Sequence, residues 1–240
     1  PAQAVIGGGG PRRRARRTEA MTIADLFGRY LRRTAPHGRW SGSAHTPLER
    51  LPLVAIDCET TGLDPKRDRI VSFAAIRIDE GLRVADRPML DLLIDPGVAI
   101  PARATAIHGI DRAHLVGAPS FAEAFTRIAT CLEGAVVVGH FVGFDLAIIG
   151  REAARARLAW HEPPNFDTAN LAAAIGHPPE HIDLAELLAH LGIEPHGRRH
   201  SAAGDARMAA DLFVALAHRL IGRGHGTYGG VAAAHHAPRR

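Results

Sequence analysis

The sequence predicts an α/β fold: a five-stranded mixed sheet, its first three strands antiparallel, flanked by helices on both faces. Three patterns predict it. Strand-type runs at 53–58, 70–78 and 83–94 follow one another with little more than turn signals between them, the spacing of antiparallel neighbours. Ala135-Val136-Val137-Val138-Gly139 is short and wholly apolar, as suits a strand covered on both faces. From there strands and helices alternate, which calls for helices against the sheet.

The elements follow in order. Residues 1–20 carry the run Gly7 to Gly10 and then Arg12, Arg13, Arg14, Arg16 and Arg17, and read as a disordered Arg/Gly-rich tail. Thr22-Ile23-Ala24-Asp25 has the form of a loose capping box, and Ile23, Leu26, Phe27, Tyr30 and Leu31 form a helical stripe opposite Arg29, Arg32 and Arg33. Residues 21–50 are therefore expected to be a short basic amphipathic helix and a linker. The folded domain is expected over 51–221. After strand one, the Thr60-Thr61-Gly62 turn and the Asp64-Pro65 loop lead to strand two, and Asp79-Glu80-Gly81 turns into strand three, which stops before Asp95-Pro96-Gly97. Helices are expected near 101–107 and 120–132, the second capped by Ser120 with Glu123 three residues on. Past the strand at 135–139, a helix over about 144–157 precedes a strand near 165–167. Further helices are expected at about 168–175, 183–191 and 203–221. Glycines and histidines beyond Ile221 predict a flexible tail over 222–240.

Composition narrows the function. An apolar fraction of 46% fills an ordinary core, and no apolar run approaches the roughly 18 residues of a membrane span. Cys58 and Cys131 have neither metal-type nor redox-type spacing, which fits a reducing compartment. No apolar segment follows the basic N-terminal residues, so they do not read as a secretory signal, and a cytoplasmic location is expected. The charge is uneven. Residues 1–50 hold 10 Arg against Glu19, Asp25 and Glu49, a net +7. The rest is −3, so that a mildly acidic domain follows a basic segment. Such a segment is either a solvated tail or a contact for nucleic acid; in the second case deleting 1–50 weakens binding and flattens its salt dependence.

Three places carry acidic or histidine residues that solvation explains poorly. Asp57 and Glu59 alternate on one strand, so they share a face while Cys58 points to the other. Two like charges so placed are costly unless a cation lies between them. Asp145 opens a helix after a buried strand, where the helix dipole favours a carboxylate by about 0.3–1 kcal/mol. It shares a face with Ile148 and Ile149, so it is either a cap or an inward-facing functional group. Asp205 lies on the apolar stripe of Met208, Ala209, Leu212 and Leu216, a costly place for an unpaired charge. Asp211 falls off that stripe and reads as solvated.

Asp57-x-Glu59-Thr60-Thr61-Gly62, His140…Phe144-Asp145 and His200-x-Ala202-x-x-Asp205 together resemble the three motifs of the DEDDh group of 3′–5′ exonucleases. That group includes the proofreading epsilon subunit of bacterial DNA polymerase III, RNase T and oligoribonuclease. Thr105-Ala106-Ile107-His108-Gly109-Ile110 looks like a segment of its epsilon-type members, and the resemblance spans about 52–220. It implies an RNase H-like fold and hydrolytic release of nucleoside 5′-monophosphates from a single-stranded or frayed 3′ end.

The resemblance also implies two Mg²⁺ or Mn²⁺ ions. Asp57, Glu59 and Asp205 would hold one, Asp57 would bridge to the second, and Asp145 would bind through water or orient the site. His200, whose ordinary pKa suits proton transfer near neutrality, would be the general base. Thr60, Thr61, Gly62 and His108 are expected near the terminal nucleotide. Phe144 and His140 are either substrate contacts or packing residues, and Asp167 is expected to cap the next helix. DNA is the expected substrate. The alternatives are RNA or oligonucleotide trimming on the same fold, or a non-catalytic nucleic-acid-binding module. A polymerase partner stays open without a feature that indicates one, and no membrane partner is expected.

Overall fold

The computed structural model of the chain describes residues 41–177 and 183–236. The expected disordered tail over 1–20 and the expected helix after Thr22 lie outside the described residues.

Strand β1 (Leu53–Thr60) is the centre of the sheet. β2 (Ile70–Asp79) pairs with it antiparallel, while β5 (Val136–Gly139) pairs with it parallel and carries β6 (Asn165–Asp167) on its far side. The third expected strand, 83–94, is divided. β3 (Arg83–Val84) and β4 (Leu90–Leu93) both lie antiparallel to β2. Ile78 pairs with Val84 and Ala75 with Leu90, so three steps of β2 face six of the partner. Pro88 sits in the extra length, where it has no N–H to give to a ladder. The described residues thus form six strands in the expected mixed arrangement.

Seven helices complete the described chain: α1 (Ala102–His108), α2 (Phe121–Leu132), α3 (Val142–Arg155), α4 (Thr168–Ala174), α5 (Leu184–Leu191), α6 (Ala202–Gly222) and α7 (Tyr228–His235). The Ser120 capping box forms with both its bonds. Asp167 caps α4 through the Ala169 N–H, as its place before Thr168 predicts.

Each face of β1 is packed by a different layer. Leu53 and Ala55 join Met208, Leu212 and Leu216 of α6 in one core cluster. Val54, Ile56 and Cys58 join Ile128 of α2 and Ile148 and Ile149 of α3 in another. The strand alternation that sets Cys58 apart from Asp57 and Glu59 is therefore the alternation of the two cores.

Two expectations about the ends are corrected. The predicted flexible tail contains α7, whose Val231 is fully buried and whose Tyr228 packs on Phe166 at 5.5 Å between ring centroids. Residues 44–50 are not a linker: Leu48 is fully buried, Pro47 bridges Thr227, and Tyr228 N–H donates to the Thr46 carbonyl. The two segments are bonded to each other and share one core cluster, an arrangement invisible to local patterning. No described helix is long and apolar enough to cross a membrane.

Candidate metal centre and nuclease site

The C-terminal ends of the parallel strands β1, β5 and β6 open on one side of the sheet, the place where open α/β sheets hold ligands. A cavity of about 680 Å³ lies there. It is lined by Asp57, Glu59, Thr60, Thr61, Gly62, His108, His140, Phe144, Asp145, His200 and Asp205, which are all the site residues the sequence singles out. A larger hollow of about 910 Å³ between α2 and the 159–164 loop holds none of them, so chemistry rather than size identifies the site.

Asp57 and Glu59 project from β1 on the α6 side, and the first turn of α6 brings Asp205 to meet them. One carboxylate oxygen from each lies within 4.8 Å of the others. A bulge at Glu59/Thr60 ends the regular ladder beside them. Asp145 arrives from α3 on the opposite layer. Its Oδ1 accepts the Cys58 N–H at 2.9 Å in a buried contact.

The electrostatics follow from burial. Burial, followed by Asp145, Asp205 and Glu59, pushes Asp57 well above the usual carboxylate range, and Arg199 opposes them. Glu59 is pushed up to about 7 by burial and by Asp205, against Arg198 and Arg199. Asp145 is pushed up to about 8 by burial, although its bonds to Cys58 pull it down. Asp205 is raised by burial against Arg199 and His200. These carboxylates lack sufficient positive charge. Their all-oxygen donor set fits a hard divalent cation such as Mg²⁺ or Mn²⁺.

His200 stands exposed at the cavity rim with φ +56, a left-handed backbone uncommon for a side-chain-bearing residue. Its N–H donates to Asp205 Oδ2 at 3.3 Å. The loop is held by Ser201 Oγ, which donates to the Arg198 carbonyl at 2.7 Å, and by the close passage of Gly204 under Arg198. A Cβ on Gly204 would stand 2.1 Å from that carbonyl oxygen.

The expected substrate-contact residues divide by what their side chains do. Thr60 Oγ1 donates to the Gly62 carbonyl, and Thr61 Oγ1 accepts the Arg69 N–H while donating to Asp68. Both hydroxyls therefore shape the loop and leave the backbone to face the cavity. Gly62 is pressed against Asp68, whose Oδ2 would lie 2.5 Å from any Cβ. His108 is buried and held neutral by that burial. Its Nδ1 accepts the Ile110 N–H, so its other nitrogen carries the proton and faces the Thr60 backbone. His140 bonds to Thr168 Oγ1 at 2.9 Å, and Phe144 lines the cavity from within the α3 core.

Sequence reasoning missed several cavity residues, Leu63, Ile107, Arg103 and Arg199 among them. Leu63 and Ile107, which are 40% and 56% exposed, line the cavity as an apolar pair suited to the flat face of a base. Arg103 and Arg199 add positive charge. Arg199 Nη1 donates to Asp205 Oδ1 at 3.0 Å. Adjacency to His200 and Thr61-Gly62 was the only available signal. Asp211 is not simply solvated: it pairs with Arg207 and His196 at 3.0 and 3.1 Å.

Comparison with known proteins gives a consistent picture. The exonuclease family model of RNase T type matches residues 54–213. The chain is 40% identical over 209 residues to a DNA polymerase III subunit epsilon-like protein of Rhodobacter capsulatus, covering 86% of this chain and 28% of that protein. It is 30% identical to the DNA polymerase III subunit epsilon of Aquifex aeolicus over 70% of this chain and 81% of that one. Among solved structures, E. coli exonuclease I in complex with a dT13 oligonucleotide superposes with a TM-score of 0.62 at 22% identity, over 72% of this chain and 42% of that one. The fold is RNase H-like. The chain spans less than half the length of the first of these relatives and of exonuclease I.

Proposed function

The chain belongs to the RNase T-type exonuclease family, and from that premise we propose that it is a metal-dependent 3′–5′ exonuclease acting on single-stranded or frayed DNA ends. The observation that carries this reading is the meeting of Asp57, Glu59 and Asp205 oxygens within 4.8 Å at a cavity that also holds Asp145 and His200.

In this reading Asp57, Glu59 and Asp205 would hold the divalent cation, with Asp57 the most central of the acids. Divalent cations, when bound, stabilise the charge on the attacking and leaving oxygens of an in-line displacement. His200 takes the proton from the attacking water as it adds to phosphorus. The bond from phosphorus to the 3′ oxygen of the penultimate nucleotide breaks, and the terminal nucleotide leaves as its 5′-monophosphate. Asp145 fixes β1 through Cys58 and so keeps Asp57 and Glu59 in register. Leu63 and Ile107 hold the terminal base by its faces, and the backbone of 60–62, with His108 set behind Thr60, lines its path.

DNA is favoured because the Rhodobacter capsulatus and Aquifex aeolicus relatives are named for a DNA polymerase. The test is degradation of 5′-labelled single-stranded DNA, a duplex with a mismatched 3′ end, and short RNA, each with Mg²⁺ or Mn²⁺. A ladder of shortening labelled DNA is expected. Immediate release of labelled mononucleotide would reverse the polarity, preference for RNA would move the substrate, and inertness on all three would remove the enzyme reading.

A further inference from the structure

Arg199 sits where the reading above needs a cation. Its guanidinium donates to Asp205 Oδ1 at 3.0 Å, and the other oxygen of that carboxylate accepts the His200 N–H. Asp205 therefore has no oxygen free of a protein donor. A divalent ion arriving at Asp205 meets the positive charge of the guanidinium on the same carboxylate, so the two cations oppose each other there.

The two neighbouring arginines differ in what holds them. Arg198 is tethered: its Nη2 donates to the His108 carbonyl at 2.9 Å. Arg199 bonds to Asp205 through its side chain and is about one-third exposed, on a loop whose backbone is pinned by Ser201 and by the Gly197–Gly204 approach. Its side chain can leave Asp205 without unfolding the loop, and the space it enters is the cavity it already lines. A guanidinium keeps its charge at any working pH and matches two oxygens of a phosphate with a planar fork.

Resting on the nuclease reading, we propose that Arg199 is an exchangeable counter-ion: it offsets part of the charge of the carboxylate cluster before the divalent ion binds. On exchange it swings to the non-bridging oxygens of the terminal phosphodiester. The exchange links metal loading to substrate capture. The positive charge released by one event serves the next, and the guanidinium opposes cation binding at an empty site.

The test separates the two roles. Mn²⁺ binding to the full chain is measured by titration calorimetry without nucleic acid at pH 8.5, for the wild type, Arg199→Gln and Arg199→Lys. Arg199→Gln is expected to bind Mn²⁺ several-fold more tightly, since its competitor is gone. At saturating Mn²⁺ the same variant is expected to lose about tenfold or more in kcat/KM on single-stranded DNA, the worth of one charge-assisted bond. Arg199→Lys is expected to restore the weaker Mn²⁺ binding but little of the turnover, because an ammonium lacks the fork. Thermal unfolding checks that each variant is folded. Unchanged or weaker Mn²⁺ binding by Arg199→Gln overturns the proposal, as does tighter binding with wild-type turnover. Neither result touches the nuclease reading, which fails only if the wild type is inert.

Discussion

The Asp145 carboxylate accepts the backbone N–H of Cys58 at 2.9 Å, although 87 positions separate the two residues. Cys58 stands between Asp57 and Glu59, so this one bond sets the helix on one face of the sheet against the strand that carries two of the acids. Asp145→Ala removes the acceptor and leaves a buried N–H, and is expected to cost about 1.5–3 kcal/mol in urea unfolding. Asp145→Asn keeps an acceptor and removes a charge that burial disfavours. At pH 8.5 without metal it is expected to be at least as stable as the wild type. Both variants are expected to lose roughly a hundredfold or more in turnover.

The same burial predicts how stability responds to pH. Glu59 and Asp145 carry raised values, about 7 and about 8, so the folded state holds protons that the unfolded chain releases near its ordinary carboxylate values. Their contribution is fully present below about pH 4 and is lost as the pH rises through about 7 and 8. The metal-free protein is therefore expected to lose stability between pH 5 and pH 8.5. Saturating Mn²⁺ is expected to abolish or reverse the slope, and Glu59→Gln to flatten it. A metal-free unfolding midpoint that rises over this range would contradict the assignment.

His200 joins an exposed ring to a left-handed backbone, and the two can be separated by substitution. Replacing it with Ala or Gly is expected to lower turnover by about 10²–10⁴-fold, the range of general-base losses. Calorimetric Mn²⁺ affinity is expected to be little changed, since no ligand is removed. Gly accepts φ +56 without strain, so the Gly variant is expected to be more stable than the Ala variant by about 1 kcal/mol. Turnover near the wild-type rate in either variant would take His200 out of the reaction.

Gly204 has no room for a methyl group, whereas Gly222, the last residue of α6, meets nothing within 4 Å. Gly204→Ala is expected to cost about 1–3 kcal/mol and to displace the loop carrying Arg199 and His200, with a fall in turnover. Gly222→Ala is expected to leave turnover unchanged and to add up to about 1 kcal/mol of helix stability. Thermal unfolding and the single-stranded DNA assay distinguish the pair.

The acids were legible because chemistry left a pattern that folding alone does not require. A carboxylate pair on a strand and one on an apolar stripe contradict their local setting, and the one on a helix start shares a face with Ile148 and Ile149. The main strands were legible for the opposite reason: their apolar runs and turn residues agree. What was hidden depends on partners remote in sequence. Helix α7 reads Tyr-Gly-Gly-Val-Ala-Ala-Ala-His, with two glycines that disfavour it locally. It forms because Val231 and Tyr228 are received by the core and because His235 Nε2 accepts the Asp167 N–H. The division of the third strand needed the register of β2. Arg199 carries no periodic signature, and its role depends on where Asp205 lies.

The four acids come from both layers: two from the central strand, one from α3 and one from α6, which pack against opposite sides of that strand. Detaching either layer dismantles the centre. A molecule caught half-folded, or breathing open on one side, therefore has no assembled set of acids with which to cut a strand. The architecture acts as a safety catch, confining the proposed cleavage to chains that have finished folding.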